Sequence, residues 1–251
     1  MFVLYRVSEK SNLKKRVEGD KFEILLESIK VFSSFNFVVI ADNCSNDFIE
    51  KLKKIKSDKC IILKTEYGNS KSFWYAYNYA INNFKNEDIV YFLEDDYLHL
   101  SGSESKLIEG LEVFDYVTLY DHPDKYNCNY LKRTRMGYSL SENTRLCYVN
   151  NVLWKTSSST TMTFAAHVRT LKEDKIFWGI ATKLYAMPKD LLAWTLILRE
   201  KPINKPSIWH RLLRLFFILK QNNKRYLGIP IDGWSTHMEI NYLSKKFKEH
   251  K

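Results

Sequence analysis

Three consecutive carboxylates, Glu94, Asp95 and Asp96, follow an apolar run at residues 89–93. A buried strand that ends in acids can bring them to a site, because ligands of open α/β sheets bind outside the carboxyl ends of the strands. Neighbouring carboxylates repel one another and favour a hard divalent cation, which can also bind phosphate oxygens. A solvated acidic turn would show the same triplet, so the choice depends on the flanking elements.

Those elements repeat one pattern, in which an apolar run ends in polar residues and a helical pattern follows. Alternating strands and helices of this length predict βαβ units and a parallel sheet, so several polar strand ends converge on one edge. The apolar runs are residues 2–7, 35–41, 60–63 and 89–93, and the helical patterns are residues 21–32, 47–56 and 72–84.

In this order the chain resembles the nucleotide-binding half of a GT-A glycosyltransferase and is similar to the family 2 enzymes. The resemblance covers residues 1–120 and continues more thinly through residues 171–174 and 233–237. It implies that Asp42 contacts the nucleobase and that residues 94–96 stand for the DXD motif, which holds a metal ion and the diphosphate. Glu replaces the first Asp of that motif. The nucleotide-sugar-binding residues so implied are Arg6, Ser8, Asp42, Asn43, Gly68, Asn69, Glu94 and Asp95.

Other residues are candidates for the metal, the acceptor and the base. The resemblance implies that the acids after Leu171-Lys172 lie at a helix start and that Asp174 is the general base of an inverting transfer; a helix-terminal acid pair favoured by the helix dipole is the alternative. It also implies that a C-terminal His binds the metal or the diphosphate, with Asp232 able to serve instead. We therefore expect Mn²⁺ or Mg²⁺ at Asp96 and His237, and an acceptor near Asp121, His122, Thr161 and Glu173.

Composition indicates one enzyme-sized α/β domain over residues 1–251, with a nucleotide-sugar-binding half (1–120) and an acceptor-binding half (121–251). The hydrophobic fraction of 45% is ordinary for a globular protein. The N-terminal residues lack the basic and apolar order of a signal peptide, so we expect a cytoplasmic protein. Four cysteines without a paired spacing indicate free thiols rather than disulfides or a zinc site.

The positive charge is concentrated in one segment. The chain carries a net charge of +10, of which residues 199–225 contribute +7, from eight basic and one acidic side chain. Within it, residues 208–220 place apolar and aromatic side chains on one face of a helix and basic ones on the other. This pattern is typical of a helix at an anionic membrane surface, here the inner face of the cytoplasmic membrane, and equally of a helix packed on the sheet. We do not expect nucleic-acid binding.

Together these observations predict an α/β protein with a GT-A fold, in which a Rossmann-like, mostly parallel sheet is flanked by helices. The expected activity is metal-dependent, inverting transfer of a sugar from a nucleotide-sugar to a glycan or lipid-linked acceptor in bacterial surface polysaccharide synthesis. A sugar-nucleotide nucleotidyltransferase is the first alternative, although residues 8–20 offer only Gly19 for the Gly-rich phosphate loop of such enzymes. A non-enzymatic basic adaptor of membranes or nucleic acids is the second.

Overall fold

The computed structural model describes residues 1–9, 17, 19–126, 144–199 and 224–248. Strands and helices alternate as far as residue 94, and several later strands follow one another without an intervening helix. The strands are β1 (Phe2–Val7), β2 (Asn36–Asp42), β3 (Cys60–Thr65), β4 (Ile89–Glu94), β5 (Tyr97–His99), β6 (Tyr116–Val117), β7 (Leu146–Val149), β8 (Val152–Ser157), β9 (Phe164–His167), β10 (Leu227–Pro230) and β11 (Ser235–His237). The helices are α1 (Lys21–Val31), α2 (Asn46–Lys53), α3 (Asn69–Asn83), α4 (Ser103–Leu111), α5 (Val168–Lys183), α6 (Asp190–Ile197) and the single turn α7 (Lys245–Lys248).

Among the described residues, nine strands form one sheet in the order β3-β2-β1-β4-β9-β6-β10-β8-β7. The four predicted strands lie side by side and parallel, with Leu4 opposite both Val38 and Phe92. Their carboxyl ends therefore meet at one edge of the sheet, which we call the carboxyl edge. The predicted GT-A class, a large and mostly parallel sheet flanked by helices, is confirmed.

The rest of the sheet reverses direction at β9, returns to that of β4 in β6 and β10, and reverses again at β8 and at β7. Strand β9 runs antiparallel to β4, with His167 opposite Ile89, so β9 ends at the opposite, amino edge. Strand β6 is antiparallel to β9, and β10 is parallel to β6, so the segments after β6 and β10 emerge at the carboxyl edge. Because β9 lies between β4 and β6, the sheet passes through both predicted halves of the chain.

Helices cover both faces of the sheet. Alternate residues of β1 point to opposite faces, as the two-residue period of a strand requires. Val3, Tyr5 and Val7 pack in one core with α1, α2 and α4, and Leu4 packs in a second core with α3, α5 and α6. Strands β1, β2 and β4 are buried on both faces, which explains their mostly apolar sequences, whereas the edge strand β3 is partly exposed.

A small second sheet closes the carboxyl edge. Strand β5 follows the acidic triplet directly and pairs antiparallel with β11, so that His237 lies opposite Tyr97. The backbone N–H of Met238 donates to the Asp96 carbonyl at 2.9 Å, which extends this pairing to the triplet itself. A C-terminal segment is thus fixed beside residues that precede it by about 140 positions.

Candidate functional site

The three carboxylates at the end of β4 have three different partners. The Glu94 carboxylate lies 2.7 Å from the Arg6 guanidinium, and the Asp95 carboxylate lies 2.7 Å from the Lys21 ammonium. The Asp96 carboxylate instead lies 3.2 Å from His237 Nε2. Glu94 and Asp95 are therefore each paired with a cation of the chain, and Asp96 is paired with a histidine.

Arg6 connects the end of β4 to the start of α3. Its guanidinium donates to the Asn69 carbonyl at 2.8 Å and to Asn69 Oδ1 at 3.1 Å, in addition to its bond with Glu94. The side chain is buried, so these charge-assisted bonds hold its orientation strongly. The structure thus brings together Arg6, Asn69 and Glu94, all of which were predicted to bind the nucleotide-sugar.

Ser8 and Asp95 also meet, through a residue that sequence reasoning missed. The Ser8 backbone N–H donates to the Asp95 carboxylate at 2.9 Å, and Lys21 bonds both that carboxylate and the Ser8 carbonyl. Lys21 is the first residue of α1, after Asp20, whose side chain accepts the backbone N–H groups of the first turn. An isolated lysine after an N-cap carries no sequence signal for a site, because lysines are common on helix surfaces.

Asp42 organises the turn between β3 and α3. Its carboxylate accepts hydrogen bonds from the Thr65 hydroxyl, the backbone N–H groups of Tyr67 and Gly68, and the Asn43 side-chain amide, all at 2.7 to 2.9 Å. Four donors fill the acceptor capacity of a carboxylate. Asp42 therefore positions the turn in this structure, and its predicted contact with a nucleobase stays a prediction.

Gly68 precedes α3 in a backbone conformation that other residues avoid. Its φ of +78° lies in the left-handed region, and a Cβ there would meet no atom within 4 Å, so the need for glycine is conformational rather than steric. The turn leaves the start of α3 directed at the carboxyl edge, beside Arg6.

The contact between Asp96 and His237 has a defined proton arrangement. The Glu239 backbone N–H donates to His237 Nδ1 at 3.1 Å, so a neutral ring carries its proton on Nε2. That Nε2–H points at the Asp96 carboxylate. The predicted pair is thus in contact, with His237 arranged as a hydrogen-bond donor.

Burial changes the acid–base properties of the triplet. Burial raises the pKa of Glu94 to about 6, against the opposing charge of Arg6 and with further help from the negative charge of Asp96. Burial also raises the pKa of Asp95, although Lys21 opposes the shift. A bound cation, in addition to Arg6 and Lys21, would favour the ionised forms of Glu94 and Asp95, as expected for a site that accepts positive charge.

Two of the predicted acceptor residues lie near this pair. The Thr161 hydroxyl lies 2.8 Å from the hydroxyl of Tyr97, the residue after Asp96. The His122 ring packs 5.2 Å from the Tyr120 ring, which in turn lies 6.4 Å from the His237 ring. Burial, with smaller contributions from Lys125 and His237, lowers the pKa of His122 to about 4, so His122 is neutral at physiological pH.

Asp121, by contrast, is committed to a buried ion pair. Its carboxylate lies 2.8 Å from Lys155 Nζ, with both side chains almost fully enclosed, and it also accepts the Tyr126 hydroxyl and the Asp232 backbone N–H. These contacts leave it little capacity for an acceptor. Lys155 is a second residue that sequence reasoning missed, since it lies inside the apolar pattern of β8.

The structure does not bring Asp174 to the carboxyl edge. The helix begins at Val168, not beside Glu173 and Asp174 as predicted, because β9 ends at the amino edge. Asp174 is fully buried and accepts from Arg225 Nε at 3.1 Å and from the Tyr116 hydroxyl at 2.9 Å. A base needs access to the acceptor hydroxyl. We therefore correct the prediction that Asp174 is the general base, and assign it a structural role.

Glu173 is likewise far from the predicted acceptor site. It lies on the exposed side of α5 and pairs with Arg225, which also lies 3.2 Å from Asp115. Arg225 joins two acids of α5 to Asp115, which lies just before β6. Its position before β10 gave no sequence signal for this role. The predicted helix at 208–220 lies outside the described residues. Within the described ranges, no helix has both the length and the apolar character needed to cross a bilayer.

Fold and site together define an α/β protein with a polar, carboxylate-rich carboxyl edge, and solved proteins of similar fold include two kinds of transferase. A galactosyltransferase, LgtC, in complex with donor and acceptor sugar analogues is 10% identical, with 77% of this chain and 69% of that chain covered and a TM-score of 0.43. TarS 1–349 of S. aureus is 14% identical, with 90% and 59% covered and a TM-score of 0.40. The 4-diphosphocytidyl-2C-methyl-D-erythritol synthase of Anaerococcus prevotii is 10% identical, with 91% and 87% covered and a TM-score of 0.43.

These likenesses concern the fold alone, since identities and TM-scores are too low to carry an argument about activity. No family model matches the chain, and no curated protein matches it. The activity has to be argued from the residues of the site.

Proposed function

We propose that the protein is a metal-dependent glycosyltransferase that moves a sugar from a nucleotide-sugar to an acceptor hydroxyl. One observation carries the proposal: Asp96, at the end of β4, lies 3.2 Å from His237, which β11 brings from the other end of the chain. A charged group and a neutral donor are thus held together at the edge where ligands of such sheets bind. The resemblance noted in the sequence supports a donor with a diphosphate.

The donor side would be formed by groups that β1, α1 and α3 bring to this edge. Arg6 and Lys21 supply positive charge near the place of a diphosphate, and each is now held by a carboxylate. Binding of a diphosphate would allow these cations to share their charge with phosphate oxygens, whose geometry suits a guanidinium. Asn69 and the turn that Asp42 holds would lie under the nucleotide.

The donor set suits a divalent cation such as Mn²⁺ or Mg²⁺. Asp96 offers a carboxylate at the carboxyl edge, beside His237, and such ions are commonly held by one or two carboxylates and completed by phosphate oxygens and water. Within the described residues, no three His, Cys, Asp or Glu side chains converge to hold a metal. The bound ion would neutralise negative charge on the departing nucleotide.

The proton arrangement of His237 favours one of its two predicted roles. A histidine that binds metal through Nε2 normally donates its Nδ1–H to a second group. Here Nδ1 accepts the Glu239 N–H, so Nε2 carries the proton. This arrangement supports His237 as a donor to the diphosphate. If it ligated the ion, the turn at residues 238–239 would have to change.

The acceptor would bind next to the Asp96–His237 pair. Thr161 and the neutral His122 are the predicted residues nearest to the Asp96–His237 pair, and both can hydrogen-bond hydroxyl groups. We propose a glycan or lipid-linked acceptor of bacterial surface polysaccharide synthesis and a cytoplasmic location at the membrane. Inversion is proposed as the stereochemical outcome, and the coupling constant of the anomeric proton of the product measures it.

Nucleotidyl transfer is the second candidate, because it also uses paired acids and Mg²⁺ on a Rossmann-like sheet. One assay separates the two. The protein is incubated with Mn²⁺ and either a panel of nucleotide-sugars or nucleoside triphosphates with sugar 1-phosphates. Release of a nucleoside diphosphate from a nucleotide-sugar supports glycosyl transfer, and release of pyrophosphate supports nucleotidyl transfer. Neither product, together with no nucleotide binding, would contradict both and favour the non-enzymatic alternative.

A further inference from the structure

The outer face of α5 and the turn that follows it expose an unusual set of apolar side chains. Leu184 and Met187 are 74% and 65% exposed, and Ile176 and Tyr185 are also largely accessible. Single exposed apolar residues are normal on protein surfaces, whereas a contiguous group marks an interaction site. We call this face, with the lysines described next, the α5 surface.

Lysines surround these apolar side chains. Lys172, Lys175 and Lys183 recur on the same side of α5 at helical spacing, and Lys189 follows in the turn before α6. A groove of about 610 Å³ is lined by Lys172, Lys175 and Lys183 together with Glu173, and Trp74 of α3 forms part of its wall. Lys183 Nζ lies 4.8 Å from the centre of the Trp74 ring. Basic side chains around apolar and aromatic groups are the composition of an interfacial surface.

The acids of α5 and α6 do not neutralise this surface. Glu173 pairs with Arg225, Asp174 is buried with the same arginine, and the Asp190 carboxylate accepts the N–H of Leu191. The lysines therefore keep their positive potential toward solvent, and an anionic partner is favoured over a neutral one.

We propose that the α5 surface binds the anionic face of a lipid bilayer. The lysines contact the headgroups, while Leu184, Met187 and Tyr185 enter the interfacial region. Charge decides against two other occupants: residues 199–225 of the same chain carry a net +7, and a second copy carries +10. Lysine is also depleted from protein interfaces, and exposed aliphatic side chains do not suit a nucleic acid.

The end of the α5 surface lies near the carboxyl edge, so membrane binding there would affect access to the candidate site. The Ser70 hydroxyl at the start of α3 donates to the Thr182 carbonyl near the end of α5 at 2.8 Å, so the two helix ends meet near the carboxyl edge. A bilayer at the α5 surface would thus lie beside the site. The benefit for a lipid-linked acceptor rests on the proposed function, whereas the membrane binding itself does not.

The test is sedimentation of the full chain with vesicles of phosphatidylcholine alone or mixed with phosphatidylglycerol, without nucleotide. One variant changes Lys175, Lys183 and Lys189 to Gln. With three headgroup contacts removed, we expect its partition to anionic vesicles to fall about 100-fold. Its matched control changes to Gln three exposed lysines at the end of α2 and in the turn after it, on the other face of the sheet: Lys51, Lys54 and Lys56.

A second variant, Leu184→Ser with Met187→Ser, keeps every charge and should lower the partition about tenfold through lost apolar burial. Thermal unfolding checks that these exposed changes leave the fold intact. Salt-dependent binding that both α5 variants weaken and the α2 control keeps supports the proposal. No binding to anionic vesicles, equal loss in the α2 control, or wild-type binding in either α5 variant would overturn it. Retention on RNA rather than on vesicles would overturn it as well. Donor hydrolysis, measured separately in solution, reports on the proposed function alone.

Discussion

Replacing Asp174 by Asn should lower the stability of the fold and spare the chemistry. The Asp174 carboxylate is fully buried and accepts hydrogen bonds from Arg225 at 3.1 Å and from Tyr116 at 2.9 Å. Asn has nearly the same shape but no charge, so the guanidinium of Arg225 loses its buried counter-charge. The side-chain amide also places two N–H donors where a carboxylate accepted hydrogen bonds.

The expected cost follows from this environment. Removal of one partner from a buried ion pair costs about 3–5 kcal/mol. Arg225 keeps its contacts with Asp115 and Glu173, which are partly solvated, so a somewhat smaller cost is expected, about 2–4 kcal/mol. For a chain of this size each kcal/mol lowers Tm by about 2–4 °C, so Tm should fall by about 5–15 °C.

Equilibrium unfolding in urea, followed by tryptophan fluorescence, measures this cost. Trp178 and Trp194 are fully buried in the core next to Asp174, so their fluorescence should report the unfolding of that core directly. Glu173→Gln serves as the control, since Glu173 is mostly exposed, and it should cost less than about 1 kcal/mol. A fall in kcat of about 100-fold with unchanged stability would refute the structural assignment and restore Asp174 as a base.

Three further predictions concern other parts of the molecule. Asp96→Ala should abolish Mn²⁺-dependent nucleotide binding in calorimetry while Tm changes little, because Asp96 lies at the carboxyl edge outside both hydrophobic cores; unchanged binding would remove the basis of the proposed site. Burial lowers the pKa of His99 to about 3, so the unfolded chain takes up its proton first and stability must fall as pH drops from about 6.5. Between pH 6.5 and 5 the wild type should lose about 2 kcal/mol more than His99→Gln in urea unfolding, and equal pH profiles would contradict this. Burial raises the pKa of the Cys44 thiol to about 11, so iodoacetamide at pH 8 should modify the more accessible Cys147 well before Cys44, as peptide mass spectrometry can measure.

The sequence determined the parallel part of the fold because its signals are local. Mostly apolar runs of four to seven residues are typical of strands buried in a parallel sheet, and the polar residues that end them mark the carboxyl edge. Asp20 and Ser45 cap α1 and α2 through their own side chains, so these helix starts are also encoded nearby. The resemblance to GT-A enzymes rested on the order of these same elements, and the fold it implied is the one observed.

Only the tertiary structure decided which partner each carboxylate receives. Glu94, Asp95 and Asp96 are consecutive, yet their partners come from β1, α1 and β11, at separations that no local pattern encodes. Successive side chains at a strand end point to different sides, so three adjacent acids meet three different environments.

Asp174 shows the converse limit. An acidic pair beside an apolar helical pattern looks like a helix start, and its distance along the chain suited a base. The direction of β9 is set by its pairing with β4 and β6, and it puts the start of α5 at the amino edge. With a rise of about 1.5 Å per residue, Asp174 lies roughly 9 Å from that start, on the face that packs against the sheet. The direction of a strand depends on which strands it pairs with, and local sequence does not encode that pairing. The sequence therefore showed an acidic pair on a helix but not the buried environment of Asp174.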